Sequence, residues 1–223
     1  MLVALGIIWT ARMTVPRELY VSELGAVGEP TAEWFRVALL LIVAGGSVIA
    51  WAGRRVRSDA RVLAIGSPAV SLWVGCAFFL LASQVTCTAG CPLPMGETFT
   101  WQDFVHTAAA VIAFAAACWA MLQAAFSRRD RFLARLSLAT GVIVAVVAGS
   151  GGILSLLRWQ VALGSRLEFV ATTVAIGWLV VFGMALARRA APLVSTPEGD
   201  TPGMHDGAQE AGATFARSHQ HFS

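Results

Sequence analysis

The residues best suited to chemistry gather in one stretch, Ser83–His106, where two cysteines, acids and a histidine interrupt long apolar runs. Cys87 and Cys91 are spaced C-x3-C. In an oxidising compartment they can close a small disulfide ring, with Gly90 supplying turn freedom and Pro92 stiffening the exit. So short a ring removes little chain entropy, so it would shape the loop rather than support the fold. The alternative is metal: two thiolates and the His106 imidazole are zinc-ligand types, although the second half of a zinc motif is missing. The sequence requires no cofactor, and zinc is the one it leaves open. Cys76 and Cys118 fall inside apolar runs, where thiols act as small hydrophobes.

Asp103 and His106 are i and i+3 on a helix beginning near Thr100, so they share a face of its first turn. Thr100 and Asp103 also fit a helix-start pattern, a hydroxyl with an acid three residues on, and an acid there suits the positive end of the helix dipole. His106 lies just below the interface in an apolar helix, and ionisable groups at such depth usually turn inward to partners. Candidate partners at the same end are Glu23, Arg158 and Glu168, with Arg166 beside the last. A vestibule of Glu23, Asp103, His106, Arg158 and Glu168 has three readings: a network stapling helix ends, a ligand site, or catalysis.

These residues need elements to hold them, and the composition says which kind. Of 223 residues, 57% are hydrophobic and only 13% charged, with mean hydropathy +0.70. A soluble domain carries about 25% charged residues, so the expectation is an all-α, polytopic transmembrane bundle of about six helices. Five runs are long enough to span: Trp34–Gly53, Ile65–Val85, Phe104–Phe126, Leu133–Leu157 and Leu167–Ala187. Before them Met1–Thr10 is apolar but short. It lacks the basic n-region and cleavage site of a signal peptide, which leaves an interfacial piece or, as the favoured expectation, a first span shortened by a late start. Trp34, Trp51, Trp101 and Trp159 sit near span ends as interfacial anchors. Gly45-Gly46 and Gly149–Gly152 suit close helix approach, and Gln84 and Gln123 fall near span ends, where water would solvate them.

All 16 basic residues are arginine, clustered between apolar runs rather than on one soluble face, which argues against a nucleic-acid partner. Arg54, Arg55, Arg57 and Arg61, then Arg128, Arg129, Arg131 and Arg135, then Arg188 and Arg189, mark the cytoplasmic side. Both termini then fall in the cytoplasm, and 12–33, 86–102 and 158–166 face outward. Residues 1–190 form the helical domain. From 191 to 223 the composition turns to Pro, Gly, Ser, Asp and Glu, that of a disordered tail, and His205, His219 and His221 lie in it. P-loop, G-x-S-x-G, H-E-x-x-H and G-x-G-x-x-G signatures are absent from the sequence.

At Tyr20-Val21-Ser22-Glu23-Leu24-Gly25, Cys91-Pro92 and Asp103-Phe104-Val105-His106 the chain resembles a bacterial membrane family, domain of unknown function 998. The resemblance implies about six helices in a bacterial plasma membrane. It also marks Ser22, Glu23, Cys91, Pro92 and His106 as characteristic, without implying an activity. From the clustering of ionisable residues on one side, the leading expectation is a multi-pass protein in the lipid bilayer that binds a small molecule or lipid headgroup in an outward vestibule, as transporter, receptor or accessory subunit. A lipid hydrolase or transferase with metal on His106, Asp103 and Glu168 is the alternative, and a structural membrane partner is the third. Oligomeric state is not encoded legibly.

Overall fold

The computed structural model describes residues 1–92, 99–127, 130–157 and 159–190, with Ala190 as backbone only. Arg128, Arg129, Arg158 and the tail 191–223 lie outside the described residues. The described chain is all helical: α1 Leu2–Thr14, α2 Ala32–Ala52, α3 Pro68–Gln84, α4 Trp101–Ala125, α5 Arg131–Leu156 and α6 Val161–Ala190. Sequential neighbours pack together, and α6 closes the bundle against α2 and α1.

Four helices, α2, α4, α5 and α6, are long and apolar enough to cross a membrane. α1 has 13 residues and α3 has 17, which gives about 20 and 26 Å of rise against a hydrocarbon core of about 30 Å. Val48, Val74, Val111, Ile143, Val146 and Ile153 are all exposed. An apolar belt of this extent is stable facing acyl chains and not water.

Local chemistry sets the helix starts. Ser67 caps α3 by accepting from the Val70 amide, with Pro68 in the first turn, so the helix begins later than the apolar run from Ile65. Thr100 caps α4 by accepting from the Asp103 amide, and Asp130 caps α5 by accepting from the Phe132 and Leu133 amides. The last helix starts at Val161 and not at Leu167. Gly164, Ser165 and Arg166 read as loop because they dilute the apolar run, yet they form the surface that receives residues 19–21. A Cβ on Gly164 would lie 2.7 Å from the Tyr20 hydroxyl, and Ser165 Oγ donates to the Leu19 carbonyl.

The core is thin and specific. Trp178 stacks on Phe182 at 4.9 Å and donates its indole N–H to Ser137 Oγ at 2.9 Å, joining α6 to α5. Gln123, expected near water, is 0% exposed. It accepts from Ser71 Oγ at 2.7 Å and donates to the Leu63 carbonyl at 3.1 Å. The amide is satisfied inside the bundle because the α2–α3 loop brings its carbonyls to it.

Candidate functional site

The arginine-poor ends of the helices carry a cap made from two loops. In the first, the 3-10 turn Ser22–Gly25 is held by two carboxylates. Glu23 Oε2 accepts from the Tyr20 amide at 2.9 Å while the Glu23 amide donates to the Tyr20 carbonyl. Glu168, from α6, accepts from the Val21 amide at 2.9 Å. Burial is the main influence on Glu23 and raises its pKa, with Glu29 adding to the rise and the Tyr20 amide and Arg17 opposing it.

The second loop is the cysteine ring. Cys87 and Cys91 are paired as a disulfide. Gly90 and Cys91 take positive φ of 77° and 45°, so the turn freedom expected of Gly90 is used. Two anchors hold the ring from outside itself: the Val27 amide donates to the Cys87 carbonyl at 2.9 Å, and the Thr88 amide donates to Asp103 Oδ1 at 2.7 Å. Thr88 Oγ1 and Thr100 Oγ1 also donate to Asp103, which is 0% exposed. Asp103 is thus committed to fastening the ring onto α4.

His106 is 4% exposed, and its Nδ1 lies 2.7 Å from the Val85 carbonyl and 3.2 Å from that of Ala82. Carbonyls only accept, so the ring proton sits on Nδ1 and a neutral ring keeps its lone pair on Nε2. The partners expected to be carboxylates are the last carbonyls of α3.

Beneath the Val21–Ser22 turn lies a narrow cavity of about 70 Å³. His106, Ala110, Phe114 and Ala117 line it from one face of α4, and Glu168, Thr172, Ala175 and Leu179 from one face of α6. Both sets repeat at helical spacing and extend about 16 Å along the axis. The polar atoms lie at the roof and the shaft is apolar. Glu168 is surrounded by protein yet keeps some accessible surface, because it faces the cavity. Thr172 is 7% exposed, and its hydroxyl is buried without a hydrogen-bond partner.

The structure therefore joins His106 and Glu168 across one cavity and puts Glu23 behind its roof. Asp103 is turned to the ring, and Arg158 lies outside the described residues. Arg166 faces away and pairs with Glu18, which also binds Arg12 of α1 at 2.6 Å. Among the described residues no ion pair reaches Glu168. The metal set His106, Asp103 and Glu168 does not converge; among the described residues the group that does is Cys87, Cys91 and His106, with ligand atoms within 4.8 Å of one another. Thr88 and Thr172 were missed by sequence reasoning. Thr172 could have been found as the residue one turn after Glu168 on the same face.

A bundle of apolar helices with a loop-built cap over an internal cavity defines a multi-pass helical membrane protein. The chain belongs to the family described as "Protein of unknown function (DUF998)", whose model matches residues 1–185. No curated protein and no solved structure matches it.

Proposed function

We propose that this is a multi-pass protein of the bacterial plasma membrane that binds, in the His106–Glu168 cavity, a small molecule or lipid headgroup bearing an amine. The observation that carries the reading is the polar roof over an apolar shaft, with the Thr172 hydroxyl buried there unpartnered. Buried polar groups are nearly always satisfied, so one left free at a cavity wall is a place for a ligand atom. The roof offers acceptors, the Glu168 carboxylate and the Thr172 oxygen, beside the edge of the His106 ring. Acceptors select a donor, and an ammonium donates while matching the carboxylate charge. The shaft suits the aliphatic part of the same molecule.

The arginine clusters at the other end support a cytoplasmic location for that end and an outward cap. With the ring reduced, a membrane-impermeant maleimide on intact cells should label Cys91, and labelling only after lysis would invert the orientation.

The test of binding is thermal unfolding in detergent with dodecylamine, dodecanol or dodecanoate. Dodecylamine should raise the midpoint, and E168Q and T172V should each cut its affinity at least tenfold. E168Q retains an oxygen for the Val21 amide, so the cap survives. Equal shifts in wild type and both variants would refute the site. Mass spectrometry of the extracted protein separates the two sources, an amine-headed lipid retained through purification or a soluble amine that must be added.

A further inference from the structure

We propose that the Cys87–Cys91 disulfide is one of two states of a metal site, and that after reduction Cys87, Cys91 and His106 bind a zinc ion. This does not rest on the amine reading, because the ligands other than His106 lie in the cysteine ring.

Convergence comes first: both sulfurs and an imidazole nitrogen lie within 4.8 Å of one another. Zinc bonds of about 2.3 Å to sulfur and 2.0–2.1 Å to nitrogen place ligand atoms about 3.5–3.8 Å apart, so side-chain rotation alone assembles the set. The second observation is the state of His106. A zinc-bound histidine characteristically donates its other ring N–H to a carbonyl or carboxylate, which fixes the tautomer. His106 Nδ1 does so to the Val85 carbonyl at 2.7 Å.

The third observation is that the disulfide is not the only restraint on the ring. The Val27 amide holds the Cys87 carbonyl and Asp103 holds Thr88. Both restraints persist when the sulfur–sulfur bond opens, so the thiols stay beside His106. Charge also balances: two thiolates and one Zn²⁺ sum to zero, as a buried site beside an apolar helix requires.

The chemistry closes with an external dithiol as reductant. It transfers two electrons and two protons to the Cys87–Cys91 bond, giving two thiols, and itself becomes a disulfide. Zinc then displaces both thiol protons into solution. Three protein ligands leave a fourth position for water.

The experiment uses the full chain in detergent, oxidised or reduced with a phosphine and then desalted without oxygen, loaded with zinc and analysed for metal content. Reduced wild type should hold about one zinc per chain and oxidised protein below a tenth of that. C87S/C91S should bind none above the level Cys76 and Cys118 give, and H106Q should bind at least tenfold more weakly in chelator competition. Equal zinc in both redox states, or full retention by C87S/C91S, overturns the proposal. Because C87S/C91S leaves Glu168 and Thr172 intact, an unchanged dodecylamine shift in that variant separates failure of the metal site from failure of the amine site.

Discussion

Removing the Asp103 carboxylate should release the cysteine ring from α4. In D103A the Thr88 amide, Thr88 Oγ1 and Thr100 Oγ1 all lose an acceptor. Hydrogen bonds to a charged group are worth about 1.5–3 kcal/mol each, and a stranded buried donor costs about 1–3 kcal/mol. The three share one carboxylate and are not additive. Asp103 is fully covered but lies in the first turn of α4, close to the end of the helix, so water can reach freed groups after a small movement. We therefore expect a loss of about 3 kcal/mol. T88V keeps the amide donor and should lose about 1 kcal/mol, and D103N, with one acceptor oxygen left, should fall between them. At about 2–4 °C per kcal/mol for a chain of this size, D103A lowers the unfolding midpoint by about 6–12 °C. The assay is thermal unfolding in detergent, with the rate of thiol labelling after reduction as a second readout of ring mobility. If D103A unfolds within about 1 °C of wild type, or D103N abolishes dodecylamine binding without changing stability, the assignment of Asp103 to the ring is wrong.

Three further outcomes are expected. Burial raises the Glu23 pKa above its ordinary 4.5, so the folded state binds the proton more tightly than the unfolded chain, and the stability this gives is present below the ordinary value and lost as pH rises through the folded value. E23Q, which keeps an acceptor for the Tyr20 amide, should therefore gain stability relative to wild type as pH rises from 4 to 8, and a pH-independent difference would contradict this. G164A forces a Cβ onto the Tyr20 hydroxyl and should cost about 1–3 kcal/mol; adding Y20F should recover part of it, because it removes the atom that the new Cβ would meet first, and additivity in the double-mutant cycle would count against the contact. Q123L strands the Leu63 carbonyl and Ser71 hydroxyl and should cost about 2–3 kcal/mol in denaturation, whereas solvation of Gln123 would predict no cost.

The spans α2, α4 and α5 were legible because uninterrupted apolarity is a local property of the letters. The start of α4 was legible for the same reason, since Thr100 and Asp103 meet within one turn. Reading failed where a residue answers to something distant. Gly164 and Ser165 look like loop residues until residues 19–21 are laid on them. Gln123 looks solvent-bound until the 63–65 carbonyls arrive. The site fared likewise: His106 was recognisable as an ionisable group at depth and Glu168 as a carboxylate at the same end, but their partners are backbone carbonyls and amides, which no sequence marks. Asp103 showed its cap role and hid its attachment to Thr88 fifteen positions earlier.

Glu168 fastens the Ser22–Gly25 turn and also forms a wall of the cavity beneath it. A cation settling there competes with the Val21 amide for one carboxylate, so occupancy and closure of the roof draw on the same pair of oxygens. Such a guest should loosen the turn above it, and faster hydrogen exchange at Val21 would record it.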